Sequence, residues 1–107
     1  MKLHSKIYGD QGAHLIVIHG LFGMSDNWNT LGKQFAKYCK VHLIDLRNHG
    51  RSPHYLDFNY EVMSEDLYNY IVDHNIVKAN ILGHSLGGKV AMKYAFTHNE
   101  KVEKLLI

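Results

Sequence analysis

One decapeptide, Asn80-Ile81-Leu82-Gly83-His84-Ser85-Leu86-Gly87-Gly88-Lys89, restricts the fold of this chain more than any other segment. An apolar run ends there in Gly-x-Ser-x-Gly and passes at once into a small-residue helical pattern. This is the pattern of a nucleophile elbow, a sharp strand-to-helix turn that lifts a serine hydroxyl above the end of a sheet. A residue on such a turn has a strained backbone, so its neighbours two positions away on each side must be small. Gly83 and Gly87 meet that need because they lack a Cβ. The helix that follows aims free N–H groups and its positive dipole end at the place where an oxyanion would form. Ser85 is therefore the leading candidate for an acyl-transfer nucleophile.

The same letters allow two other readings. Gly83, four residues, then Gly88-Lys89 match the start of a Walker A phosphate loop, which also joins a strand to a helix. That loop needs Ser or Thr after the lysine to hold magnesium, and Val90 has no oxygen to offer. A glycine-rich helix start without chemistry is the plainer alternative. It leaves the His84-Ser85 pair unexplained.

Two periodicities alternate along the chain. Residues 2–8 read as a short alternating strand closed by a hairpin-type turn at Gly9-Asp10-Gln11-Gly12. Leu15-Ile16-Val17-Ile18 is a continuous run, as in a strand buried on both faces. Residues 25–39 space Trp28, Leu31, Phe35 and Tyr38 or Cys39 as one amphipathic helix. Residues 41–46 form a second buried strand, and Arg47-Asn48-His49-Gly50-Arg51-Ser52-Pro53 is a loop by composition. Asn59 caps a helix over 60–74 with Met63, Leu67, Tyr70 and Ile71 inward. Residues 79–83 form the strand into the elbow, 86–98 a helix with Val90, Ala91, Tyr94 and Ala95 on its apolar stripe, and 102–107 the start of another strand. This order predicts an α/β fold, a parallel doubly wound sheet with helices on both faces. In such a sheet ligands bind beyond the carboxyl ends of the strands. The loops at His19, His49 and Ser85 all follow such ends and should converge on one edge.

At 107 residues the chain predicts a single domain, and 46% apolar residues are enough for a core. A net charge of +2, without runs of Lys or Arg, gives no footprint for nucleic acid. The single Cys39 excludes an internal disulfide. The first residues lack the apolar stretch of a signal peptide, and no run approaches membrane-spanning length, which predicts a soluble, cytoplasmic protein without a membrane partner. Nine histidines are many for this length, but no Cys/His spacing resembles a zinc site, so no metal or cofactor is expected.

Three motifs together resemble the α/β-hydrolase superfamily, in its branch of small carboxylesterases and thioesterase-like acyl hydrolases. They are His19-Gly20-Leu21-Phe22-Gly23 with Asp26-Asn27-Trp28, Asp45-Leu46-Arg47-Asn48-His49-Gly50 with Ser52-Pro53, and Gly83-His84-Ser85-Leu86-Gly87-Gly88-Lys89. The resemblance implies that Ser85 is the nucleophile and that the backbone N–H of Leu86 is one oxyanion donor. The second donor would be the N–H of Leu21, with Phe22 as the alternative. It implies scaffold roles for His19 and His84, a loop-fixing role for Asp45 and Arg47, and a place for His49 at the pocket rim. The substrate implied is a small acyl ester or thioester.

In this family the acid and then the histidine follow the nucleophile. Only 22 residues follow Ser85, and His98 is the sole later histidine. It lies along the helix that starts at the elbow, about 20 Å away at the usual helical rise. Residues 1–107 therefore read as the N-terminal part of one α/β-hydrolase domain, ending after the nucleophile helix and the start of the next strand. The last strand would leave an open edge suited to self-association. A catalytically inactive binding module with the same pocket wall is the competing reading, and a phosphate-loop domain a weaker one.

Overall fold

A computed structural model describes residues 2–107. Five strands, β1 (Ser5–Tyr8), β2 (His14–Ile18), β3 (Lys40–Ile44), β4 (Ala79–Gly83) and β5 (Val102–Leu106), form one sheet in the order β1-β3-β2-β4-β5. Helices α1 (Asn29–Phe35), α2 (Tyr60–Asp73) and α3 (Leu86–Thr97) join them, with short 3-10 turns at Ser25–Trp28 and Asn99–Lys101. The expected α/β class is what the chain adopts. β3, β2, β4 and β5 are parallel, whereas β1 adds to β3 antiparallel, so the sheet is mixed rather than wholly parallel.

The N-terminal hairpin expected from the glycine turn does not form. β1 begins at Ser5 and lies on the outer edge of β3, pairing Ser5 with Ile44 and Tyr8 with Val41, with β2 two positions away. The turn glycines serve this crossing. Gly9 and Gly12 take φ of +84° and +91°, and a Cβ on them would lie 2.6 Å from the Cys39 carbonyl oxygen and 2.9 Å from that of Tyr38.

Helices cover both faces. Under α2 and α3, Ile16, Ile18, Ile44 and Ile81 meet Met63, Leu67, Ile71, Val90 and Tyr94. Asn59 caps α2 by accepting the Val62 N–H at 2.8 Å, which satisfies one orphan donor of the first turn. On the other face Val17, Val41 and Leu43 pack with Trp28, Phe35 and Cys39. The long helix expected over 25–39 is shorter than its pattern. It breaks into a 3-10 turn and seven α-helical residues, and Leu31 and Tyr38 are exposed. Gly32 takes the inward place instead, where a Cβ would stand 3.0 Å from Leu43 Cδ1. A glycine that makes room carries no hydrophobic signal. Among the described residues, no helix is long and apolar enough to cross a membrane.

Register decides where the loops emerge. Ile18 pairs with Ile44 on one side and Gly83 on the other, so β2, β3 and β4 finish level. The chain leaves them at His19, Asp45 and His84 on one edge of the sheet, where α/β folds place their ligands.

A polar chain threads the amino half of the sheet. The Tyr70 hydroxyl donates to Ser5 Oγ at 3.0 Å, so it accepts from His42 Nδ1 at 2.8 Å. His42 Nε2 then accepts from His14 Nδ1 at 3.0 Å. This wiring needs a neutral His42. Burial, aided by His14, His74 and Lys40, pushes its pKa from 6.5 down to about 4. The folded state thus binds fewer protons here than the unfolded state. The contribution is complete above pH 6.5 and is lost as pH falls towards 4, to a total of about 3 kcal/mol. His19, also lowered by burial, acts in the same direction. The urea midpoint is expected to fall between pH 7.5 and 4.5, and His42→Gln should flatten that slope. An unchanged slope in the variant would assign the effect elsewhere.

Candidate active site

Ser85 stands between β4 and α3 with φ +55° and ψ −113°, outside both helix and strand regions. A non-glycine residue held there stores about 1–3 kcal/mol of strain, which persists only where the surroundings enforce it. The surroundings here are backbone. A Cβ on Gly87 would lie 2.2 Å from the Ile18 carbonyl oxygen and 2.5 Å from that of His19, and one on Gly83 would lie 2.5 Å from the Gly87 oxygen. The turn is tied by the Gly87 N–H donating to His84 O at 2.9 Å and the His84 N–H donating to Ile18 O at 3.0 Å. Ser85 is exposed. Its neighbour Leu86 opens α3, and the Leu86 N–H has no acceptor among the described residues. That is the normal state of a first-turn amide, and it leaves a free donor beside the hydroxyl.

The loop after β2 comes close to the same serine. An ideal Cβ on Gly20 would be 3.4 Å from Ser85 Cβ and 3.0 Å from His84 Nδ1, so any larger residue would press the His84 ring aside. The Gly23 N–H closes the loop onto Gly20 O at 2.9 Å. Phe22 lies in the left-handed region at φ +61°, and its N–H donates to His49 Nε2 at 3.1 Å. The Leu21 N–H has no acceptor among the described residues. Of the two amides considered for the second oxyanion donor, Leu21 is the uncommitted one. The side chains of both residues point outward, Phe22 being 91% exposed. Leu21 also helps to line a cavity of about 370 Å³ with Asn27, Trp28, Leu31 and His84. A larger hollow of about 430 Å³, at Leu15, Asn80 and Lys104, contains none of the candidate residues.

The loop after β3 braces this arrangement. The Asp45 carboxylate accepts the N–H of Ser25 at 2.5 Å and of Arg51 at 3.2 Å. Arg47 makes a two-pronged ion pair with Asp66 of α2, Nε to Oδ2 at 2.6 Å and Nη2 to Oδ1 at 2.9 Å. Asp66 first, and Asp57 and Tyr55 with it, raise the arginine pKa. Such a fork fixes direction as well as distance.

Two of the histidines around the serine, His19 and His49, are already engaged. His19 accepts the Leu46 N–H on Nε2 at 3.0 Å, so its proton is on Nδ1, 2.7 Å from Gly20 O. Burial first of all, and the neighbouring His49, hold it below the usual imidazole pKa, against the opposing pull of the Gly20 carbonyl and Asp45. His49 accepts from Phe22 and donates from Nδ1 to Arg47 O at 2.9 Å. His84 sits edge-on to Trp28 at 6.1 Å. His98 is at the far end of α3, stacked on Tyr68 at 4.2 Å. The bond between His49 and Phe22 joins residues 27 apart and leaves no mark in the pattern of the chain. No group of three or more metal-ligating side chains occurs among the described residues.

A strained serine at the turn from β4 into α3, on the edge where β2, β3 and β4 finish level, stands on a mixed sheet of the α/β class. Residues 13–107 match the family model described as alpha/beta hydrolase fold. The chain belongs to the α/β-hydrolase family. It is similar to a putative esterase/lipase of Haemophilus influenzae, 45% identical over 93 residues, covering 87% of this chain and 32% of that protein. It is also similar to a probable alcohol acetyltransferase of Saccharomyces cerevisiae, 47% identical over 92 residues, covering 78% of this chain and 27% of that protein. A solved marine microorganism esterase superposes with a TM-score of 0.96 at 47% identity, over 97% of this chain and 40% of that one. The chain thus spans about a third of the length of these curated relatives.

Proposed function

We propose that residues 1–107 are the N-terminal part of one serine-hydrolase domain, cytoplasmic, acting on a small acyl ester or thioester. Ser85 attacks the acyl carbonyl, and the N–H groups of Leu86 and Leu21 receive the oxyanion. The observation that carries this reading is the Ser85 backbone at φ +55°, held by Gly83 and Gly87 at the start of α3. Strain of that kind serves to present a hydroxyl, and the first-turn amide beside it suits developing negative charge. The likeness to an esterase/lipase supports hydrolysis, while the likeness to an alcohol acetyltransferase supports an alcohol as a second acyl acceptor. The acid and histidine would come from chain beyond Ile107. For the 107 residues alone an inactive binding module is the second reading, because both imidazoles fixed beside the site, His19 and His49, have both nitrogens engaged. Unpaired β5 edge groups favour self-association of that piece.

Covalent trapping tests the assignment. In the complete polypeptide, a fluorophosphonate is expected to add one label, on the peptide containing Ser85, and Ser85→Ala should take none. A label on any other serine would end the proposal.

A further inference from the structure

We infer that His49 is a positioning residue for the oxyanion hole, selecting Leu21 over Phe22 as the loop's free donor by holding the Phe22 N–H. The inference rests on the hydrolase reading given above. Three successive amides are available in the loop after Gly20. That of Gly23 bonds back to Gly20 O at 2.9 Å, that of Phe22 is held by His49 Nε2 at 3.1 Å, and that of Leu21 has no acceptor among the described residues. Phe22 reaches its partner only in the left-handed region, at φ +61°, which a bulky residue avoids unless something holds it. His49 supplies that hold.

The acceptor is itself oriented. His49 donates from Nδ1 to the Arg47 carbonyl at 2.9 Å, which leaves Nε2 bare to accept. Its ring lies between His19, 4.9 Å away, and Phe58, 5.9 Å away, and the residue is 7% exposed. Arg47 is clamped by both oxygens of Asp66. A chain of fixed contacts therefore runs from α2 through Arg47 and His49 to the backbone that borders Ser85. Without it, Phe22 would relax from its strained φ, and the peptide plane carrying the neighbouring amide would turn with it.

The test uses the complete hydrolase and p-nitrophenyl butyrate. His49→Leu, which has no acceptor, should lower kcat by about 10²-fold with KM nearly unchanged, the size expected when a transition-state donor is misplaced. His49→Gln carries an oxygen near the position of Nε2 and should recover most of that loss. In the unmodified protein, long-range ¹H–¹⁵N spectra should show His49 protonated on Nδ1 and bare on Nε2. That measurement decides the matter even where a variant does not fold. Unchanged kcat in His49→Leu, equal losses in both variants, or a proton on Nε2 would each overturn the inference. Hydrolysis that survives Ser85→Ala would overturn the hydrolase reading instead, so the two failures are distinguishable.

Discussion

The 107-residue chain alone is expected to hydrolyse p-nitrophenyl butyrate no faster than its own Ser85→Ala variant. Continued through the family's acid and histidine, it should gain about 10⁴-fold or more, the cost measured when triad members are removed from serine hydrolases. A serine hydroxyl is a weak nucleophile unless an adjacent base takes its proton. Two of the imidazoles at the site have both nitrogens committed, and His84, which precedes Ser85, meets Trp28 only through an edge-on ring contact. His19 spends Nε2 on Leu46 and Nδ1 on Gly20, and His49 spends its nitrogens on Phe22 and Arg47. His98 is stacked on Tyr68 at the distal end of α3. Two free amides would remain, but stabilising an oxyanion does not create the nucleophile. The measurement is initial rate per mole of folded chain, with and without the continuation. Turnover by the short chain that vanishes in Ser85→Ala would mean that a local histidine, His84 or one that leaves its present partners, acts as base.

Gly87→Ala is expected to destroy the elbow rather than merely slow the chemistry. In an exposed helix interior the change would stabilise by about 1 kcal/mol. Here the new methyl would meet the Ile18 and His19 carbonyl oxygens at 2.2 and 2.5 Å. Both are backbone atoms, and Ile18 belongs to a strand paired on both sides, so neither can retreat. The steric term wins, at a cost of about 4 kcal/mol or more, comparable to the whole stability of many domains. Gly88→Ala is the control. Its methyl would touch Ile107 Cγ2 at 2.9 Å, the end of an exposed side chain that can rotate away. It would meet the Gly83 carbonyl oxygen only at 3.3 Å, far milder than the 2.2 Å clash at Gly87. Thermal unfolding followed by circular dichroism should separate the two variants widely. A Gly87→Ala chain that melts with the unmodified one would show that α3 does not press on β2 in this way.

Much of the architecture was legible in the letters because buried parallel strands are nearly continuous apolar runs. The runs at 15–18 and 79–83, the Asn59 cap and the inward face of α2 all lie where the pattern puts them. The exceptions have identifiable causes. β1 pairs across β3 because strand partners are chosen by the sheet, while a glycine turn between neighbouring strands signals only that the chain changes direction. Helix α1 stops at Phe35 with Leu31 outside because Gly32 provides the close contact to Leu43, and a missing side chain leaves no trace in a hydrophobic period.

What the sequence determined by itself was the local chemistry: a serine between glycines at a strand end, a helix start behind it, and glycines that free the backbone of the facing loop. Those are short-range properties, set by sterics within a few residues of Ser85 and Gly20. Only the tertiary structure decided which amides and imidazoles remain free to act. The Phe22 N–H is taken by His49 and the Leu21 N–H is not, and His19 is held neutral between Leu46 and Gly20. Hydrogen bonds between residues 27 apart form because β2 and β3 end level and bring their loops face to face. Which partner each polar group finds depends on that register, and register is a property of the folded sheet.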